Sequence, residues 1–141
     1  MKIFFSGPLT NLTNPEATKA LYLKLDAMAK EAGHDTFWAF LSGTDPIKNP
    51  EVSAAEVYRR DIKSLSESDI MVSYAGEPST GTGIEIGYAT EYDKPIVILY
   101  EKGKHVSRML RGCPAIKKEI VFSDDADAVS QLSAYLKKVA S

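Results

Sequence analysis

The sequence holds one cysteine, Cys113, one tryptophan, Trp38, and two histidines, His34 and His105. A single cysteine excludes an intramolecular disulfide and suits a reducing, cytoplasmic interior. A catalytic thiol needs a neighbouring base and an electropositive setting. His105 lies upstream of Cys113, but the intervening Arg108-Met109-Leu110 reads as helix packing. His34 follows Gly33 and reads as a turn residue. No His/Cys/Asp spacing suggests a metal site, and no cofactor is expected. No run approaches the ~20 apolar residues of a membrane span. The opening Met1–Gly7 is too short and too strand-like for a signal peptide. Net charge is −2, with Lys and Arg scattered, so there is no footprint for nucleic acid.

What is present fits one globular domain over residues 1–141, with 44% hydrophobic and 26% charged residues. Lys2–Phe5 is an apolar run stopped by Ser6-Gly7-Pro8, a buried first strand. Pro15 opens a helix to about Ala32, with Leu21, Leu25 and Met28 on one face. Strand patterns recur at Asp35–Phe40, Asp69–Tyr74, Ile96–Tyr100 and Glu119–Phe122. Helical patterns fall at Ser53–Ser66, after Gly83 with Ile84 and Tyr88 inward, and around His105–Arg111. A last helix is capped by Asp124, with Val129, Leu132, Leu136 and Val139 on one side. Short apolar strands alternating with helices predict an α/β fold, a doubly wound five-stranded parallel sheet of order 2-1-3-4-5. Its crossovers should be right-handed. Ligands bind such sheets beyond the carboxyl ends of the strands, near the switch point between strands 1 and 3.

That rule selects the loops Ser6–Asn14 and Ala75–Gly83. The irregular stretch Ser42–Pro50 is of a kind that also carries function. In the second loop, Ser79 and Thr80 are candidate caps, and Gly81 and Gly83 let backbone approach a ligand. The free N–H groups of the following helix suit an anion such as phosphate. Glu85 falls in about the first turn, where the helix dipole favours its ionised form. Position leaves two readings: a nucleophile facing an oxocarbenium-like sugar carbon, or an acid that improves the helix start. If a base is to leave, it improves when protonated, and a second acidic group is needed. Asp61, in Arg59-Arg60-Asp61-Ile62, is a candidate donor, or a surface partner of an arginine.

Arg59-Arg60-Asp61-Ile62, Asp69-Ile70-Met71-Val72, Pro78–Ala89 and Lys94-Pro95-Ile96 together resemble the nucleoside 2-deoxyribosyltransferase superfamily. Phe4-Phe5-Ser6-Gly7 is similar to its opening strand and loop. Ser107–Gly112 resembles a segment of one branch, the 2′-deoxynucleoside 5′-phosphate N-hydrolases. The resemblance spans nearly the whole chain. It implies a flavodoxin-like fold and a homo-oligomer, at least a dimer, whose sites are completed across an interface. It makes Glu85 the nucleophile of a glycosyl-enzyme and Asp61 the acid that assists the leaving base. Ser79 and Gly81 become phosphate contacts, Ser107 a phosphate contact donated by a neighbouring subunit, and Gly7 a backbone contact to the nucleotide. The branch carries an arginine in the first loop, where this chain has Leu9-Thr10-Asn11. Lys24 stands where the family has a second arginine on the first helix.

The leading expectation is hydrolysis of a nucleoside 5′-monophosphate. One alternative is transfer of the deoxyribosyl group to a second base. The other is a module that binds nucleotides without turnover.

Overall fold

A computed structural model describes residues Met1–Ser141. Five strands form one parallel sheet: β1 (Lys2–Ser6), β2 (Asp35–Trp38), β3 (Ile70–Tyr74), β4 (Ile96–Glu101) and β5 (Ile116–Phe122). Their spatial order is β2-β1-β3-β4-β5, so the order reverses between β1 and β3. The helices are α1 (Pro15–Glu31), α2 (Ala54–Ser66), α3 (Thr80–Glu91), the short α4 (Arg108–Arg111) and α5 (Asp125–Ala140). The expected architecture is the observed one.

The strands read as unbroken apolar runs because both faces of the sheet are covered. Ile3 and Phe5 of β1 point into one core with Leu21, Tyr22 and Leu25 of α1 and Leu132 and Leu136 of α5. Phe4, one residue out of phase, points into the opposite core with Leu65 of α2 and Ile86 and Ala89 of α3. Side-chain caps set the helix starts. Asn14 accepts from the Ala17 amide at 3.1 Å ahead of Pro15, and Asp124 accepts from the Asp127 amide at 2.8 Å.

Several local expectations shift. In α3 the sheet-facing stripe is Thr82, Ile86 and Ala89, so Ile84 is 47% exposed rather than inward. Ile84 is two residues from both Thr82 and Ile86, about 200° around the helix, which turns it to solvent. Val139 is likewise exposed, in the last turn of α5. β2 stops at Trp38, and Ala39–Leu41 forms a single 3-10 turn. β5 starts at Ile116, earlier than Glu119, because an edge strand carries Lys117 and Lys118, which disguise it as loop. No helix is long and apolar enough to cross a membrane.

Candidate active site

The switch point opens into a cavity of about 470 Å³. β1 and its loop contribute Ser6, Gly7 and Thr10; β2 contributes Trp38; the Ser42–Pro50 loop contributes Thr44 and Asn49. From α2, Ala54, Val57 and Asp61 face it at i, i+3 and i+7, one side of a helix. From the start of α3 come Gly81, Thr82 and Glu85, with Ser79 just before.

Ser79 is the N-cap of α3, its hydroxyl accepting from the Thr82 amide at 3.2 Å. Glu85 is the sixth residue of α3, in the second turn rather than the first. Ser6 Oγ donates to Glu85 Oε1 at 2.7 Å. Burial pushes the Glu85 acid up from 4.5 to about 8; the Ser6 hydrogen bond opposes this and the negative charge of Asp61 adds to it. The helix dipole favours the ionised form of Glu85, but burial acts against it. Desolvation in the cavity floor outweighs a dipole already weakened by the second turn.

Asp61 is not an arginine's partner. Glu56 takes both neighbours, lying 2.6 Å from Arg59 Nη2 and 2.8 Å from Arg60 Nε. Burial raises the Asp61 acid to about 6. Thr44 gives its one proton to the Ala39 carbonyl at 3.1 Å, and Asp61 Oδ1 is left buried without a hydrogen-bond partner. An unpaired buried acid is costly unless a ligand completes it. The wall contains two carboxyls and no Lys, Arg or His.

The structure thus brings Gly7, Asp61, Ser79, Gly81 and Glu85 to one cavity. Two predicted residues lie elsewhere. Lys24 faces α5, its amine 2.8 Å from Asp125, because the acidic first turn of α5 draws it there. Ser107 caps α4 and lines a second, more apolar depression of about 660 Å³ with Met109, Leu110 and Cys113. The two hollows share Ser79 and Thr82. Sequence reasoning passed over Ser6, Thr82 and Trp38. Ser6 lay inside the selected loop, and its place at the carboxyl end of β1 was the available signal.

Residues 3–135 match the family model described as nucleoside 2-deoxyribosyltransferase. The chain belongs to that family. A protein of Thermofilum pendens named as a 2′-deoxynucleoside 5′-phosphate N-hydrolase is 29% identical over 141 residues, covering 96% of this chain and 95% of its own. The structure of the Clostridium botulinum CMP N-glycosidase superposes with a TM-score of 0.75 at 22% identity, covering 96% of this chain and 99% of that one. A 2-deoxyribosyltransferase from Bacillus psychrosaccharolyticus superposes with a TM-score of 0.64 at 23% identity, over 92% and 90%. At those identities the two structures speak for the fold. As a member of the family, the chain is an enzyme of the N-glycosidic bond.

Proposed function

We propose that the chain is a cytoplasmic nucleotide N-hydrolase. It splits a (2′-deoxy)nucleoside 5′-monophosphate into free base and sugar 5-phosphate through a covalent glycosyl-Glu85 intermediate. The observation that carries this reading is the placing of Glu85 and Asp61 on the wall of one cavity, with Ser6 Oγ donating to Glu85 Oε1 at 2.7 Å. Two coupled carboxyls that hold one proton between them supply both a nucleophile and an acid. The relative named as a 2′-deoxynucleoside 5′-phosphate N-hydrolase supports the substrate class.

The ionised Glu85 attacks the anomeric carbon while the bond to the base breaks. Asp61 gives its proton to the departing base, which otherwise leaves as a poor anion. Water then attacks the same carbon, loses a proton to the Asp61 carboxylate, and returns Glu85 as a carboxylate. Two displacements retain the anomeric configuration.

With no cation on the wall, the 5′-phosphate rests on neutral donors. The Ser79 hydroxyl accepts from Thr82 and keeps its own proton to give, and the first N–H groups of α3, Gly81 among them, lie beside it. Gly7 presents backbone to the nucleotide. Ser107 joins the phosphate only from a second copy of the chain, since it lies outside its own chain's cavity. Beside it Met109 is 89% exposed, an apolar side chain suited to such a contact. The reading is therefore of a homo-oligomer, at least a dimer, with shared sites.

The transferase reading draws on the same wall: without a cation, an unphosphorylated nucleoside is an electrostatically acceptable ligand. Incubation with nucleosides and 5′-monophosphates, with and without a free acceptor base, followed by chromatography, tests both. Free base from a monophosphate without acceptor is expected. Turnover only when a second base is supplied would establish transfer instead.

A further inference from the structure

Two hydroxyls beside Glu85 have no part in the reaction as described. Ser6 ends β1 and Thr82 stands in the first turn of α3; both are buried. Ser6 Oγ lies 2.7 Å from Glu85 Oε1 and 3.3 Å from Thr82 Oγ1. A serine hydroxyl has one proton to give and two lone pairs to receive with. The shorter contact, to the carboxyl, claims that proton. Thr82 is then placed to donate to Ser6, and the chain runs from Thr82 through Ser6 to Glu85.

We propose that Ser6 is the positioning residue of the nucleophile. It pins Oε1 of Glu85 to the end of β1, leaves Oε2 as the attacking oxygen, and with Thr82 behind it favours the carboxylate over the acid. The proposal rests on the reading of Glu85 as the attacking group.

The anchor is itself held still. Ser6 pairs in register with Ser73 of β3. A Cβ on the next residue, Gly7, would overlap the Tyr22 phenol, so the backbone there approaches that ring as only glycine allows. The Tyr22 hydroxyl donates to the Pro8 carbonyl at 2.9 Å and ties down the following residue. A hydrogen-bond donor on a fixed strand end therefore sets where the carboxyl sits.

The charge pattern gives this hydrogen bond its weight. Asp61 of α2 is the only other charged group on the cavity wall, and it opposes ionisation of Glu85. Trp38 of β2, Thr44 and Asn49 of the loop, and Thr82 of α3 are neutral. Among the side chains around it, the Ser6 hydroxyl is the one that draws the Glu85 acid down. The chain can reverse when Glu85 is protonated, but a hydrogen bond to the charged form is about twice as strong. Its loss should therefore cost the carboxylate more than the acid.

The test uses the full chain without substrate and then with it. Carbon-detected NMR of labelled glutamate, with Glu85→Gln to assign the signal, follows the Glu85 titration in wild type, Ser6→Ala and Ser6→Thr. Ser6→Ala is expected to move that titration up by about one pH unit, and Ser6→Thr to move it back. Thr82→Val should give a smaller shift in the same direction. In turnover, Ser6→Ala should lower kcat about tenfold or more at neutral pH, with KM little changed, and move the limb of the profile near 8 upward. An unmoved Glu85 titration in Ser6→Ala overturns the proposal, as does a loss of rate equal at all pH values. Because the titration needs no substrate, it stands apart from the function. A shifted titration with an active Glu85→Ala enzyme would overturn the nucleophile reading and leave the Ser6 contact intact.

Discussion

Asp61 on α2 and Glu85 on α3 face one cavity, and the charge of the first raises the acid of the second. Two coupled carboxyls titrate as a pair, so the values near 6 and 8 describe the dyad and its shared proton. Between those values the pair holds one proton. That state supplies one nucleophile and one acid, whichever carboxyl carries the proton at rest.

The first prediction follows from that count. The profile of kcat/KM against pH should be bell-shaped, with limbs near 6 and 8. Asp61→Asn should remove the alkaline limb and lower the rate by about 10²–10⁴-fold, the usual size of an acid contribution. A profile that rises to a plateau above pH 8 would show that Asp61 acts only as a carboxylate.

A second prediction concerns stability. The folded acid of Glu85, about 8, lies above its ordinary 4.5. A raised acid stabilises the fold fully below about 4.5, and that contribution is lost as pH climbs through 8. Glu85→Gln keeps the shape and removes the titration. Thermal melts should show Tm unchanged near pH 4 and raised by several degrees at pH 9, each kcal/mol being worth roughly 3–4 °C in a domain of this size. An equal Tm difference at both pH values would contradict the buried-acid account.

A third prediction separates phosphate from sugar. Ser79→Ala should weaken a 5′-monophosphate by about 1.5–3 kcal/mol, the worth of a hydrogen bond to a charged group, and the matching nucleoside by much less. Calorimetric titration of both ligands reads the difference. Equal losses would place Ser79 in helix capping alone.

Assembly yields a fourth. Inactive Glu85→Ala chains mixed with Ser107→Ala chains should regain part of the activity if subunits exchange, because some mixed sites hold both intact residues. A mass of one chain by light scattering in a fully active solution would contradict the shared site.

The sheet and its order were legible because burial on both faces writes strands as continuous apolar runs, as in Ile96–Leu99. Helix starts were legible at Asp124 and Ser79, where the capping side chain is local. The inward face of α3 was not. Three glycines and a central carboxyl blur its period, and Ile84 and Ile86 compete for the same stripe. The position of Glu85 was readable from the glycine-rich loop, but its protonation was not. That depends on the Ser42–Pro50 loop and α2 closing over it, contacts far apart in sequence. The escape of Asp61 from its adjacent arginines was equally hidden, since Glu56 captures both through helical spacing. Lys24 shows the converse: a suitable residue type at a suitable position is drawn to Asp125 by tertiary contact.

The covalent step is tested most directly by quenching the enzyme in acid during turnover of a 5′-monophosphate and mapping its peptides by mass spectrometry. A sugar-phosphate adduct on the peptide carrying Glu85, absent from Glu85→Ala, is the predicted result. That variant should also keep less than about a tenth of wild-type turnover, a barrier change of at least roughly 1.4 kcal/mol. An adduct on another residue, or no adduct together with a Glu85→Ala enzyme above that rate, would contradict the account.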